Sequence, residues 1–208
     1  MAAPGEQQKS ELGYAGTLRD SRVPLVVLDL ASVETYLLLQ PLTGLALEAA
    51  GAIWCPLASD PAPLDLDRES AARVAATVEL AVSWPARHPA AVPSAMQVAT
   101  LACSRGQGAV VMYALSRIAF GGGGDVDEPA EYLPALEDTE LTAREARLAA
   151  EGGSRWESEL HRLALELASL GIQRAPALRW DGRLYLGSRA ITSVLGESPS
   201  SQPPLRLP

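Results

Sequence analysis

Residues 23–30 read Val-Pro-Leu-Val-Val-Leu-Asp-Leu (VPLVVLDL), a short and nearly unbroken apolar run of the kind shown by a strand buried on both faces. After Ala31 and Ser32 the apolar spacing turns helical through Tyr36, Leu39 and Leu47 to Gly51, with a kink predicted at Pro41. Ala52–Leu57 (AIWCPL) is then a second short strand. A strand, a helix and a strand within about 35 residues make a βαβ unit, whose parallel strands need a right-handed crossover. The α/β class follows.

Outward from this unit, Asp65–Leu170 consists of alanine-rich helical segments: Arg68–Val82, Ser94–Cys103, Ala109–Phe120, Pro129–Leu136, Thr142–Ala150 and Trp156–Leu170. The breakers between them include WPARHPAAVP and the Gly121–Gly124 run. After Gly171 strands return as Pro176–Trp180 and Arg183–Leu186, joined by Asp181-Gly182, a strong two-residue hairpin signal. Gly187 and Ser188 lead into a last helix, Arg189–Leu195. The predicted organisation is a loosely ordered N-terminus (1–20), a sheet-bearing domain built from 21–64 and 171–197, a helical insertion (65–170) and a flexible Pro/Ser-rich tail (198–208).

Composition narrows the function. The 208 residues are 48% hydrophobic and 20% charged, inside the globular range. Acidic residues outnumber basic ones 25 to 17, for a net charge of -8 with no Lys/Arg block, which argues against a nucleic-acid partner. Lys9 is the only lysine, so Schiff-base chemistry is excluded outside the N-terminus. Cys55 and Cys103 lie far apart in apolar surroundings, and with His88 and His161 they are too few for a disulfide framework or a zinc cluster; no metal site is expected. Met1–Asp20 has neither a basic nor an apolar signal region, and every apolar window is interrupted before the roughly 20 residues a bilayer crossing needs. A cytoplasmic protein without membrane contact is expected.

Two segments carry a resemblance. Asp29-Leu30-Ala31-Ser32-Val33-Glu34-Thr35-Tyr36-Leu37 resembles the D-x-x-S-P-Y-S-[YW]-L segment of 2-hydroxychromene-2-carboxylate isomerases and kappa-class glutathione transferases. Gly171–Leu178 (GIQRAPAL), with Asp181-Gly182, Leu186-Gly187 and Ser188 downstream, is similar to their G-V-x-G-V-P-T-[FL] followed by D-G and [FW]-G-[QS]-D. The resemblance covers most of Val23–Leu195 and implies the DsbA-like branch of the thioredoxin superfamily: a thioredoxin-like fold with βαβ and ββα units on one sheet and an inserted all-helical domain. Departures from the pattern are Val33-Glu34 for Pro-Tyr, Arg174 for glycine, Ala177 for threonine, and Arg189 where an acidic residue usually helps hold the ligand. The slot that carries C-x-x-C in redox members reads Ser32-Val33-Glu34-Thr35, which cannot exchange disulfides.

The resemblance implies that Ser32, at a helix N-terminus, donates a hydrogen bond to the sulfur of glutathione or another low-molecular-weight thiol and favours its thiolate, which adds to a small hydrophobic electrophile. It implies that Ala175 and a cis Pro176 pair with the peptide-like thiol as an added strand, and that Gly187 and Ser188 bind its carboxylate. Asp29, Glu34, Thr35, Arg174 and Arg189 would surround this site. Blander roles compete. Ser32 and Ser188 are good N-caps, Asp29 suits a capping role, and Glu34 either favours the helix dipole or acts as a general base. Cys55 and Cys103 read as inert core thiols, His88 and His161 as solvated, and Tyr36, Trp54 and Trp84 as core. The helical insertion would form the acceptor pocket, and a homodimer fits the family. A binding protein without turnover is the alternative to an isomerase or transferase.

Overall fold

The computed structural model describes residues 18–20, 22–43, 51–58, 66–194 and 205–206. Four strands, β1 (Leu25–Leu28), β2 (Ile53–Pro56), β3 (Ala177–Trp180) and β4 (Arg183–Leu186), form one mixed sheet that the two-residue β5 (Leu205–Arg206) extends, in the order β2-β1-β3-β4-β5. β1 runs parallel to β2, with Leu25 opposite Ile53, and antiparallel to β3, with Val27 opposite Ala177. It is central and all four of its residues are buried, which is why its sequence is apolar without alternation. Asp181 (φ 50°) and Gly182 (φ 69°) both adopt the left-handed region, as the tight turn between β3 and β4 demands.

Helix α1 (Val33–Thr43) follows β1 and runs through Pro41 to Thr43; the predicted continuation through Leu47 lies outside the described residues. Between β2 and β3 come α2 (Arg68–Thr77), α3 (Pro93–Ser104), α4 (Gly108–Ser116) with a π turn at Arg117–Gly121, α5 (Pro129–Tyr132) with a 3-10 turn at Pro134–Leu136, α6 (Ala143–Ala150) and α7 (Arg155–Ser169). Helix α8 (Ser188–Val194) follows β4. The helix expected over Arg68–Val82 ends five residues early, where Glu79 turns left-handed at φ 55°. Those expected over Ala109–Phe120 and Pro129–Leu136 are each divided, the first by the widened π turn and the second at Pro134, which has no N–H to continue the ladder. Among the described residues no helix is long and apolar enough to cross a membrane.

The sheet has a core on each face. Val26, Leu28 and Leu178 pack with α1, α8 and the inserted helices, while Leu25, Val27, Cys55 and Ala177 pack with Leu163 and Leu167 of α7. On this second side Leu18, within the stretch predicted to be loosely ordered, is fully buried. The anchor is Arg179, itself only 1% exposed: its Nη1 donates to the Leu18 carbonyl at 2.7 Å, and its Nε and Nη2 donate to the Val23 carbonyl at 3.3 and 3.1 Å. Leu205 and Arg206, inside the segment predicted as a flexible tail, pair with Leu184 and Arg183; the rest of that segment lies outside the described residues.

Helix α3 is the centre of the inserted helices, buried continuously from Ala95 to Cys103. Its alanines let neighbours approach closely, and Gly108 shows how closely: a Cβ there would lie 2.6 Å from Cys103 Sγ and 3.0 Å from Trp54 Cβ. Gly108→Ala is therefore expected to lower stability by about 1–3 kcal/mol through overpacking, read as a lower urea midpoint. Tyr132 makes the opposite case. It is fully buried and its hydroxyl has no hydrogen-bond partner, so Tyr132→Phe is expected to raise stability by about 1 kcal/mol. A clear loss in urea denaturation would show that the hydroxyl is satisfied after all.

Candidate functional site

The chain turns sharply as it leaves β1, and local hydrogen bonds fix the turn. Asp29 Oδ1 accepts from the Ala31 N–H at 2.9 Å, and the Asp29 N–H donates to Thr35 Oγ1 at 3.0 Å. Ser32 stands at the N-cap of α1, where its Oγ accepts from the Glu34 N–H at 3.2 Å. That bond uses an oxygen lone pair. The hydroxyl proton is donated to no acceptor among the described residues, so the capping role leaves the donor role open. Asp29, Ser32, Glu34 and Thr35 are all buried, Ser32 at 9% exposure being the most accessible of the four. From the inserted helices, Met96 Sδ on α3 accepts from the Leu30 N–H at 3.5 Å and ties this turn to them.

The β1–β3 register sets Val27 opposite Ala177, so Pro176 lies at the end of the sheet where β1 hands over to the Asp29–Ser32 turn. The Ala175–Pro176 bond is cis, both residues are buried, and the Ala175 backbone makes no hydrogen bond among the described residues. The Gly187 N–H donates to the Pro176 carbonyl at 2.8 Å, which brings the start of α8 to the same end of the sheet. The Gly187 N–H is engaged within the protein rather than presented to a ligand carboxylate, because the start of β3 needs a donor there. Ser188 is half-buried beside it, and Arg174 and Arg189 are exposed.

Against Leu30 and Ala31 lies a cavity of about 140 Å³, bounded by the Pro85–Val92 loop, Ala119 and Phe120 of the π turn, and the Gly123–Val126 segment. His88 lines it, and here the expectation of a solvated histidine fails. The imidazole packs tilted on Trp84 with ring centres 4.9 Å apart and edge-to-face on Phe120 at 5.4 Å, with Nε2 buried. The cause is the loop, which folds back onto the π turn, its Ser83 N–H donating to the Phe120 carbonyl at 2.6 Å. His161 is exposed, as expected. Cys55 and Cys103 are buried, and burial pushes the Cys55 thiol up to about 12 and the Cys103 thiol well above its ordinary value. Neither offers a thiolate at neutral pH.

Sequence reasoning singled out Ser32 and Pro176, but not the contacts made by Met96, His88, Phe120 and Arg179. Helical spacing placed Met96 and Phe120 within predicted helices without indicating what they touch, and the Pro-rich context of His88 suggested solvent.

A parallel pair followed by an antiparallel hairpin on one sheet, with helices inserted between β2 and β3, matches a DsbA-like thioredoxin fold. Among solved structures the chain is similar to a 2-hydroxychromene-2-carboxylate isomerase, with a TM-score of 0.68 and 14% identity over 84% of this chain and 93% of that one. It is also similar to a probable DsbA oxidoreductase from Streptomyces coelicolor, with a TM-score of 0.62 and 19% identity over 86% of this chain and 92% of that one. No family model matches the sequence. No curated protein matches it either.

Proposed function

We propose that the protein is a thiol-dependent isomerase or transferase that uses glutathione or a similar small thiol to act on a small hydrophobic electrophile. One observation carries this: Ser32 Oγ is held at the N-terminus of α1 with its proton unused, next to the wall of an apolar cavity. The bound thiol would supply the nucleophile. Ser32 would donate a hydrogen bond toward the sulfur, and the α1 N-terminus would favour negative charge there. Ala175 would offer its backbone N–H and carbonyl to a peptide-like ligand, as a strand edge does. The Asp29 carboxyl, accepting from the Ala31 N–H, and the Glu34 N–H, donating to Ser32 Oγ, hold the turn that positions the hydroxyl.

Calorimetry tests this. Glutathione is expected to bind saturably and, in buffers of differing ionisation enthalpy, to release about half a proton per site at a pH midway between the bound and free values for a shift of about one unit. Binding without proton release would remove the thiolate from the reaction. A second reading, a binding protein without turnover, is favoured by the engaged Gly187 N–H, which removes one donor for the ligand carboxylate. A stable fold that binds no thiol would select it.

A further inference from the structure

The Pro85–Val92 loop is fastened around one histidine. Before it the Ser83 N–H donates to the Phe120 carbonyl at 2.6 Å, and within it Arg87 pairs with Asp125. The His88 ring packs on Trp84 and Phe120, which stand edge-to-face with ring centres 6.0 Å apart. Its Nε2 is sealed from water, and the imidazole hydrogen-bonds to nothing among the described residues. A protonated ring would carry its charge, and an N–H at Nε2 without an acceptor, into this apolar contact. That burial costs more than an exposed cation–π contact on Trp84 returns. The Arg68 guanidinium already lies over the Trp84 ring at 5.1 Å, so an imidazolium would meet a second cation there. No carboxylate among the described residues offsets this. Asp125 and Glu128 face Arg87, Asp127 accepts from the Ser94 and Ala95 N–H groups, Glu69 on α2 pairs with Arg73, and Arg117 on the π turn lies over Tyr113.

We propose that protonation of His88 opens the Pro85–Val92 loop, which is a gate shut at neutral pH and released in mild acid. Burial first, and the Arg68 charge second, hold the imidazole of the shut loop below its ordinary pKa, so that ring is neutral. In the open loop the ring reaches water and titrates near its ordinary value of 6.5. The open form thus binds more protons than the shut one, and acid shifts the balance toward it. Stability from the His88 contact is present in full above about pH 6.5 and is lost progressively as the pH falls below that value. Because the loop also bounds the cavity against Leu30 and Ala31, opening it uncovers the approach to the Ser32 turn. Only this consequence rests on the function proposed above.

Hydrogen exchange of the full chain at about pH 7.5 and about pH 5.5, corrected for each amide's intrinsic pH dependence, tests the gate. Protection at Ser83, whose N–H is bonded while the segment lies on the π turn, is expected to fall by about tenfold. That is the relative gain in protonation, across this range, of a group titrating near 6.5. Ser83 is also expected to exchange faster than Val26 and Val27 of β1, because a loop opens without the sheet. His88→Phe keeps a ring in the contact but cannot be protonated, and the tenfold fall is expected to disappear in it. If that variant does not fold, Arg68→Gln, at an exposed position, is expected to raise the titration midpoint of His88 followed by NMR. Equal exchange at Ser83 and β1, a fall that persists in His88→Phe, or a His88 that titrates at or above free histidine overturns the proposal. Acid-released Ser83 in a chain that binds no glutathione supports the gate and rejects only the thiol chemistry.

Discussion

Arg179→Met is expected to destabilise the protein by about 3 kcal/mol, lowering the melting temperature by about 6–12 °C. The arginine is almost wholly inaccessible on the α7 face of the sheet, and its guanidinium is the donor for the Leu18 and Val23 carbonyls. Methionine fills a similar volume but donates nothing, so both carbonyls lose their bonds in a buried setting. The buried charge itself works the other way, since burial lowers the Arg179 pKa, with nearby Asp20 partly offsetting the effect. Methionine relieves that cost, and the loss expected is the remainder. Arg183→Met, on the exposed side of the hairpin, is the control and should be near neutral. A change below about 1 kcal/mol at position 179 would mean that the Leu18–Val23 segment does not depend on it.

Ser32→Ala is expected to reduce turnover by about 10²–10³-fold once a substrate is in hand, the usual effect of deleting one donor to a reacting anion. Stability should fall by only about 1 kcal/mol, for the lost cap of α1. Ser32→Asp separates the two roles: a carboxylate accepts from the Glu34 N–H as the hydroxyl does, but it cannot donate to a sulfur and it repels a thiolate. This variant should be inactive, and less stable than the parent chain because it adds a carboxylate at a buried position beside Asp29 and Glu34. If Ser32→Asp were as active as the parent chain, Ser32 would be a cap and nothing more.

What the sequence disclosed and what it concealed divide along contact range. β1 was legible because burial on both faces leaves a local apolar run, and the hairpin because Asp181-Gly182 suits two successive left-handed residues. Ser32 was legible as a position, since a cap must precede α1, but its unused proton emerges only once every neighbouring acceptor is known. Arg179 gave no sign: its burial depends on a carbonyl 161 residues away in the chain. His88 was misjudged for the same reason, because the loop carrying it closes onto a π turn that no local pattern announced. Gly187 looked like an available donor because a helix start normally leaves its first N–H groups unpaired, and only the placement of Pro176 shows it taken.

The most direct measurement is a titration of the glutathione sulfur in the complex, followed by the ultraviolet absorbance of its thiolate, in the parent chain and in Ser32→Ala. A free thiol of this type titrates near about 8.5. Bound to the parent chain it should titrate at least about one unit lower, which corresponds to about 1.4 kcal/mol of added preference for the anion, and Ser32→Ala should return most of that shift. A bound thiol that titrates as it does in water, or a lowered value that survives removal of the hydroxyl, would contradict the assignment of Ser32.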